Sequence, residues 1–296
     1  MIAVGKGPPL VLIPGIQGRW EWMYPAVRAL AESFHVIAYS LAGEPQATLG
    51  LPRLGGDSAA SRTLAVARPQ HFDDYVAQLD DILARAGLDT AIVCGVSFGG
   101  WIAARYAMLR SERVDRLVLV STPGPRWQPD EDLARYLKAP TLFAPAFAVR
   151  SVRRLYREVR LALPGRSERR RFVVDRVRRF VGTPASPRRM AHRVQLAREV
   201  DFSALTIGAE TLLVTGESGL DAVVPVEHTL EYLQLIPRSR HVRIARTGHI
   251  GIVTRPDAFA ACLADFCGVS RLRDAAAPVA AGLSNAPGGL PASFGR

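Results

Sequence analysis

The stretch Ala91-Ile92-Val93-Cys94-Gly95-Val96-Ser97-Phe98-Gly99-Gly100-Trp101 decides the fold. Its apolar start reads as a buried strand, and a helix is predicted from Ile102 to Arg110 directly after it. Between them stands G-x-S-x-G, the nucleophile elbow, a tight turn that lifts a serine hydroxyl out of the end of a sheet. The turn demands a strained backbone at the serine. Bulky side chains two positions away on either side would collide there, so Gly95 and Gly99 have a steric reason to be glycine. Gly100 lets the following helix lie close to the strand. The five residues alone are a common loop pattern; the strand before them and the helix after them give the serine its meaning.

Outward from the elbow, strands and helices alternate. Leu10-Val11-Leu12-Ile13 is a continuous apolar run closed by Pro14-Gly15, and His35 to Tyr39 is a second strand, with a helix predicted between them over Tyr24–Ser33. Leu41 to Gln70 is rich in Gly, Pro, Ala and Ser and reads as a long loop. Phe72, Val76, Leu79, Ile82, Leu83 and Ala86 fall on one helical face, with Asp73 and Asp74 in the first turn and Gly87 as the stop. Arg116 to Val120 is the next strand. Thr211–Thr215 and His241–Ile244 are two later ones, and Asp257–Phe266 is a last helix. This rhythm predicts an α/β fold with a mostly parallel sheet and helices on both faces. From Trp127 to Asp201 the rhythm stops and the pattern is helical throughout, which reads as an inserted lid. The expected division is 1–125 for the first part of the core, 126–203 for the arginine-rich helical lid, 204–268 for the second part of the core, and 269–296 for a disordered Ala-, Pro- and Gly-rich tail.

Composition bounds the rest. With 296 residues, 48% hydrophobic and 22% charged, the chain can bury a substantial core, and no window is long and apolar enough to cross a bilayer. The start of the chain carries no basic-then-apolar signal. Cys94, Cys262 and Cys267 are an odd, sparse set, the last two poorly placed to pair with each other on one helix. A reduced, cytoplasmic protein is the expectation. Neither C-x-x-C nor H-E-x-x-H appears, so no metal site is expected. The net charge is +11, and it is uneven: Ala148 to Arg198 holds sixteen arginines against Glu158, Glu168 and Asp175, leaving the remainder about neutral.

A serine hydroxyl needs an adjacent base, and that base an orienting carboxylate. In this topology both belong on loops after later strands. Strand Thr211–Thr215 runs into Gly216-Glu217-Ser218-Gly219-Leu220-Asp221, reaching Pro225. Strand His241–Ile244 runs into Gly248-His249. The chain order is serine, acid, histidine. With Pro14-Gly15-Ile16, Gly95-x-Ser97-x-Gly99-Gly100, Gly216-Glu217…Asp221…Pro225 and Gly248-His249, the chain resembles an α/β-hydrolase-fold serine hydrolase over roughly Gly5 to Cys267.

The resemblance implies Ser97 as nucleophile, His249 as general base and Asp221 as triad acid, with Glu217 the competing acid because Ser218-Gly219-Leu220 intervene. It implies an oxyanion hole of the backbone amides of Ile16 and Phe98. Gln17, Trp20 and Trp22 follow the oxyanion loop and are candidates for lining an acyl pocket; packing on the first helix would serve the tryptophans equally well. The antiparallel hairpin at the sheet edge of many relatives is shortened or missing. The implied activity is hydrolysis of a carboxylic ester through an acyl-enzyme, with no cofactor. A thioester, an amide, a carbon–carbon bond or a cofactor-free perhydrolysis would use the same triad, and a catalytically silent ligand-binding homologue is the alternative of another class. The arginine-rich lid admits three readings: a solvated face in a chain with only two lysines, a surface that attracts anionic substrates or an anionic membrane, or a nucleic-acid contact, for which no aromatic-interleaved pattern speaks.

Overall fold

The computed structural model describes residues 1–45, 68–202, 204 and 206–269. Most of the loop expected over Leu41–Gln70 and nearly all of the expected tail lie outside these residues. The sheet has seven strands: β1 (Ile2–Val4), β2 (Pro9–Ile13), β3 (His35–Ala38), β4 (Ala91–Val96), β5 (Val114–Val120), β6 (Glu210–Thr215) and β7 (Ser239–Arg243), in the order β1-β3-β2-β4-β5-β6-β7. Among the described strands only β1 is antiparallel, pairing Ile2 to Val4 with Val36 to Ala38. Both faces of the parallel strands are covered, so β2 and β4 are apolar along almost their whole length rather than alternating. Leu10 and Leu12 point to one core, with α1 (Tyr24–Leu30) and the late helix α11 (Pro256–Cys267). Val11 and Ile13 point to the other, with α2 (Asp74–Arg85) and α3 (Phe98–Leu109).

α3 starts four residues before the sequence pattern suggests. Gly99 and Gly100 are poor helix formers, but close packing requires them: a Cβ on Gly99 would overlap the carbonyls of Ile13 and Pro14, and one on Gly100 the side chain of Thr122. β5 likewise begins at Val114, two residues early, because the exposed Asp115 and half-buried Arg116 hide its start. Between β5 and β6 stand four helices: α4 (Glu131–Lys138), α5 (Pro140–Ala162), α6 (Arg166–Gly182) and α7 (Pro187–Ala197). Asp130 caps α4, its Oδ1 accepting from Leu133 N at 2.7 Å, and Ser186 caps α7 before Pro187 at its first position. The short helices α8 (Val226–Leu230) and α9 (Tyr232–Leu235) follow β6, and α10 (Gly251–Thr254) follows β7. Cys94 is buried and Cys262 and Cys267 half-buried; all three are free thiols.

Candidate active site

Ser97 follows β4 and precedes α3 with φ 52° and ψ −117°, a region that a side chain with a Cβ rarely adopts. Its amide donates to Val120 O at 2.8 Å, and its carbonyl accepts from Gly100 N at 2.8 Å, so both peptide groups of the elbow are held. A Cβ on Gly95 would overlap the backbone of Gly99, which fixes both elbow glycines. Phe98 N is the first amide of α3, one of the helix-start donors that have no acceptor within the helix. The loop after β2 passes close by. A Cβ on Gly15 would lie 3.6 Å from Ser97 Cβ and 3.3 Å from Gln17 Oε1, so Gly15, Gln17 and Ser97 are neighbours, with Ile16 between the first two.

The acid and histidine loops meet glycine to glycine. A Cβ on Gly216 would overlap Thr247 O, and one on Gly248 would overlap the carbonyl of Leu220 and crowd Asp221 N. That approach sets His249 Nδ1 3.3 Å from each carboxylate oxygen of Asp221. Asp221 Oδ1 also accepts from Val223 N at 3.1 Å and Val224 N at 2.9 Å. Burial works against ionising Asp221, but the charge and hydrogen bond of His249 and the two backbone amides outweigh it and hold the carboxyl below its usual range. Burial also disfavours the charged imidazole; the Asp221 carboxylate, with a smaller contribution from Glu158, wins and raises His249 above the ordinary histidine value. Glu217 is occupied elsewhere: its Oε1 accepts from Arg246 N at 2.7 Å, where Arg246 has φ 62°. One small cavity is lined by Val120, Ser121, Gly216, Gly248 and His249, and Ser97 is bonded to its wall through Val120.

Trp20 packs on the core beside α1 rather than standing free at the loop. Trp22 ties the loop to the inserted helices: its Nε1 donates to Thr183 O at 3.1 Å, and its ring meets Phe180 edge-on at 6.3 Å. Among the described residues, no group of three or more His, Cys, Asp and Glu side chains is placed to hold a metal ion.

The sequence leaves the arginines of this stretch as one population, with three readings: a solvated face, a surface attracting anionic substrates or an anionic membrane, or a nucleic-acid contact. Several instead turn inward onto the site loops. Arg193 on α7 is 1% exposed; its Nη1 donates to Ile16 O at 2.8 Å and its Nη2 to the buried Glu44 Oε1 at 2.6 Å. Arg189 and Arg19 also reach Glu44, and Arg19 joins Glu21 at 3.1 Å. Gly18, with φ 75°, leaves the space that the Arg193 guanidinium fills. On α6, Arg176 and Arg179 donate to the carbonyls of Trp22 and Glu21 at 2.6 and 2.7 Å. On α5, the fully buried Glu158 reaches the histidine loop: its Oε1 accepts from Thr247 Oγ1 at 2.8 Å and Ile250 N at 3.0 Å. Burial pushes its carboxyl up. Nothing local in the sequence separates Arg193 from its fifteen neighbours, because the signal is a partner 149 residues away.

Arg193→Met would leave Glu44 paired with Arg189 and Arg19 but would take the buried donor from Ile16 O, at a cost of about 1–3 kcal/mol. A drop in Tm of roughly 5 °C is expected in calorimetry, with lowered kcat because Ile16 loses its carbonyl anchor. A variant as stable as wild type would show that the cluster carries no such weight.

Residues 8–256 match the family model described as alpha/beta hydrolase fold. Among curated proteins, the pimeloyl-[acyl-carrier protein] methyl ester esterase of Nitrosomonas europaea is 27% identical over 266 residues, covering 87% of this chain and 95% of that protein. The putative carbamate hydrolase RutD of Caulobacter sp. strain K31 is 25% identical over 270 residues, covering 87% and 89%. Among solved structures, the enol-lactonase from Burkholderia xenovorans LB400 aligns with a TM-score of 0.68 at 20% identity, over 90% of this chain and 95% of that one.

Proposed function

The chain belongs to the alpha/beta hydrolase family, and from that premise we propose that it is a serine hydrolase cleaving a carboxylic ester through Ser97, His249 and Asp221. The observation that carries this reading is the backbone of Ser97. A serine held at φ 52° between glycines that admit no side chain is a strain that the fold maintains, and strain of this kind clusters where chemistry is done. The Asp221 carboxylate beside His249 supports the rest.

In the proposed mechanism, His249 Nε2 accepts the Ser97 proton as Oγ attacks the ester carbonyl carbon. Asp221 holds Nδ1–H and stabilises the imidazolium that forms. Negative charge on the carbonyl oxygen is met by the amides of Ile16 and Phe98, each worth on the order of 10²–10³ in rate by analogy with measured donors. The imidazolium gives its proton to the departing alkoxide, leaving an acyl-serine. Water, deprotonated by the same histidine, then attacks the acyl carbon and releases the acid and free Ser97. Neither a metal nor an organic cofactor enters any step. An ester of modest size is the proposed substrate class, in keeping with a relative named for a methyl ester.

A fluorophosphonate probe tests the reading. It phosphonylates an activated serine and is expected to label the wild-type chain once, with the modified peptide mapping to Ser97. An unlabelled chain, or a label elsewhere, would defeat the assignment.

A further inference from the structure

We propose that the outer faces of α5 and α6 form a docking surface for an anionic lipid bilayer. The two helices turn apolar side chains away from the protein. On α5, Leu142, Val149, Val152 and Tyr156 follow one another at intervals of seven, three and four residues and so share one stripe. They are 74, 52, 69 and 61% exposed. Opposite that stripe sits Glu158, buried against the histidine loop. On α6, Val173 and Val177 repeat the arrangement, each more than half exposed, and Phe180 next along it is half exposed with its ring edge against Trp22, while Arg179 on the other side reaches inward. Scattered exposed apolar residues are ordinary; two helices in succession, each with a continuous stripe, are not.

The charge beside the stripes says what covers them. Arg153, Arg157 and Arg160 on α5, and Arg166, Arg170, Arg171 and Arg178 on α6, are all exposed, and none pairs with an acidic residue among the described residues. The acids of the same stretch are used internally. Glu158 is buried, Asp175 holds Arg176 and Arg179, and Glu168 turns back to the start of its own helix. An apolar stripe flanked by unneutralised guanidinium groups suits helices lying at a membrane interface. There the apolar side chains enter the acyl boundary while arginine stems extend to anionic headgroups. A second copy of the chain would bring the same positive face against itself, which like-charge repulsion opposes. Among the described residues no helix is long and apolar enough to cross a membrane, and the contact proposed is peripheral. Because the inner side of α5 grips the histidine loop, docking would turn the proposed active-site end toward the lipid. That orientation rests on the serine-hydrolase reading; the docking itself does not.

The test is flotation of the full chain with vesicles of phosphatidylcholine alone and of phosphatidylcholine mixed with phosphatidylglycerol. Three proteins are compared: wild type, the triple variant Arg153→Gln/Arg157→Gln/Arg160→Gln, and the triple variant Val152→Ser/Tyr156→Ser/Val177→Ser. Every substituted side chain is exposed, so folding is expected to survive, and hydrolysis of a small soluble ester serves as the control. Wild type is expected to float with the mixed vesicles and not with phosphatidylcholine. The arginine variant is expected to partition about a hundredfold less, at the usual contribution of each basic residue near an anionic surface. The serine variant is expected to lose at least tenfold. Absence of flotation overturns the proposal, as does retention instead on an immobilised acidic polypeptide through the same arginines. Flotation unchanged by the serine variant also overturns it, because that would be plain adsorption of a cationic chain. A dimer in light scattering that the serine variant dissolves would assign the face to a second copy.

Discussion

Ser97→Ala is expected to lower kcat on a p-nitrophenyl ester by roughly 10⁶-fold, the loss seen when a triad nucleophile is removed elsewhere. What remains would come from the two oxyanion amides and from substrate binding, neither of which uses the Ser97 hydroxyl. KM is expected to change little, and fluorophosphonate labelling to vanish. The substitution removes one oxygen and keeps the Cβ, so the strained φ of 52° is unchanged and stability should shift by less than about 1 kcal/mol. Kinetics and calorimetry on the same preparation separate lost chemistry from lost fold. A folded variant within tenfold of wild type would end the triad reading.

Asp221→Asn is the second large effect, about 10⁴-fold in kcat, because an amide neither fixes the Nδ1–H tautomer nor balances the imidazolium charge. Glu217→Gln is its control. Glu217 Oε1 accepts a hydrogen bond from Arg246 N, and a glutamine oxygen can accept the same bond, so a loss of no more than about tenfold is expected. The pH profile adds an independent readout. His249 must be neutral to accept the serine proton, so activity falls as pH drops through its pKa. Since Asp221 raises that pKa against burial, the acid limb of kcat/KM in wild type should inflect above the ordinary histidine value. In Asp221→Asn the raising charge is gone and the limb should move to lower pH. If Glu217→Gln collapsed instead and Asp221→Asn kept its activity, the acid would have been assigned to the wrong carboxylate.

The fold was legible where the chain repeats a local pattern. β2 and β4 are continuous apolar runs, and α2 carries its apolar face at regular helical spacing, so periodicity alone located them. The elbow was legible because its sterics act between neighbours in sequence: Gly95, Gly99 and Gly100 each meet backbone or side chain that the turn itself brings close. The competition between Asp221 and Glu217 could not be read from spacing. It depends on which carboxylate the glycine contact between the two loops turns toward His249, and that contact joins residues about thirty apart.

The inserted helices were legible as helices and illegible as partners. Charge counting took sixteen arginines as one population, since each is the same cation in sequence. The fold divides them by side. Arg153, Arg157 and Arg178 face solvent, while Arg179 and Arg193 satisfy carbonyls of a loop more than 150 residues earlier. The same holds for Glu158, one acid in a basic run, whose role appears only when Thr247 and Ile250 arrive beside it.

Each of α5, α6 and α7 sends a buried charged side chain into a loop of the core: Glu158 to the histidine loop, Arg179 to Glu21 O, and Arg193 to Ile16 O. For protein engineering, this means the insertion is not an interchangeable cassette. Grafting the corresponding segment from a relative would remove three internal struts, and the recipient would lose the geometry of the loops they hold before any new selectivity was measured. Recombination should therefore break inside the helices, keeping these three residues with their parent core and exchanging only the positions between them.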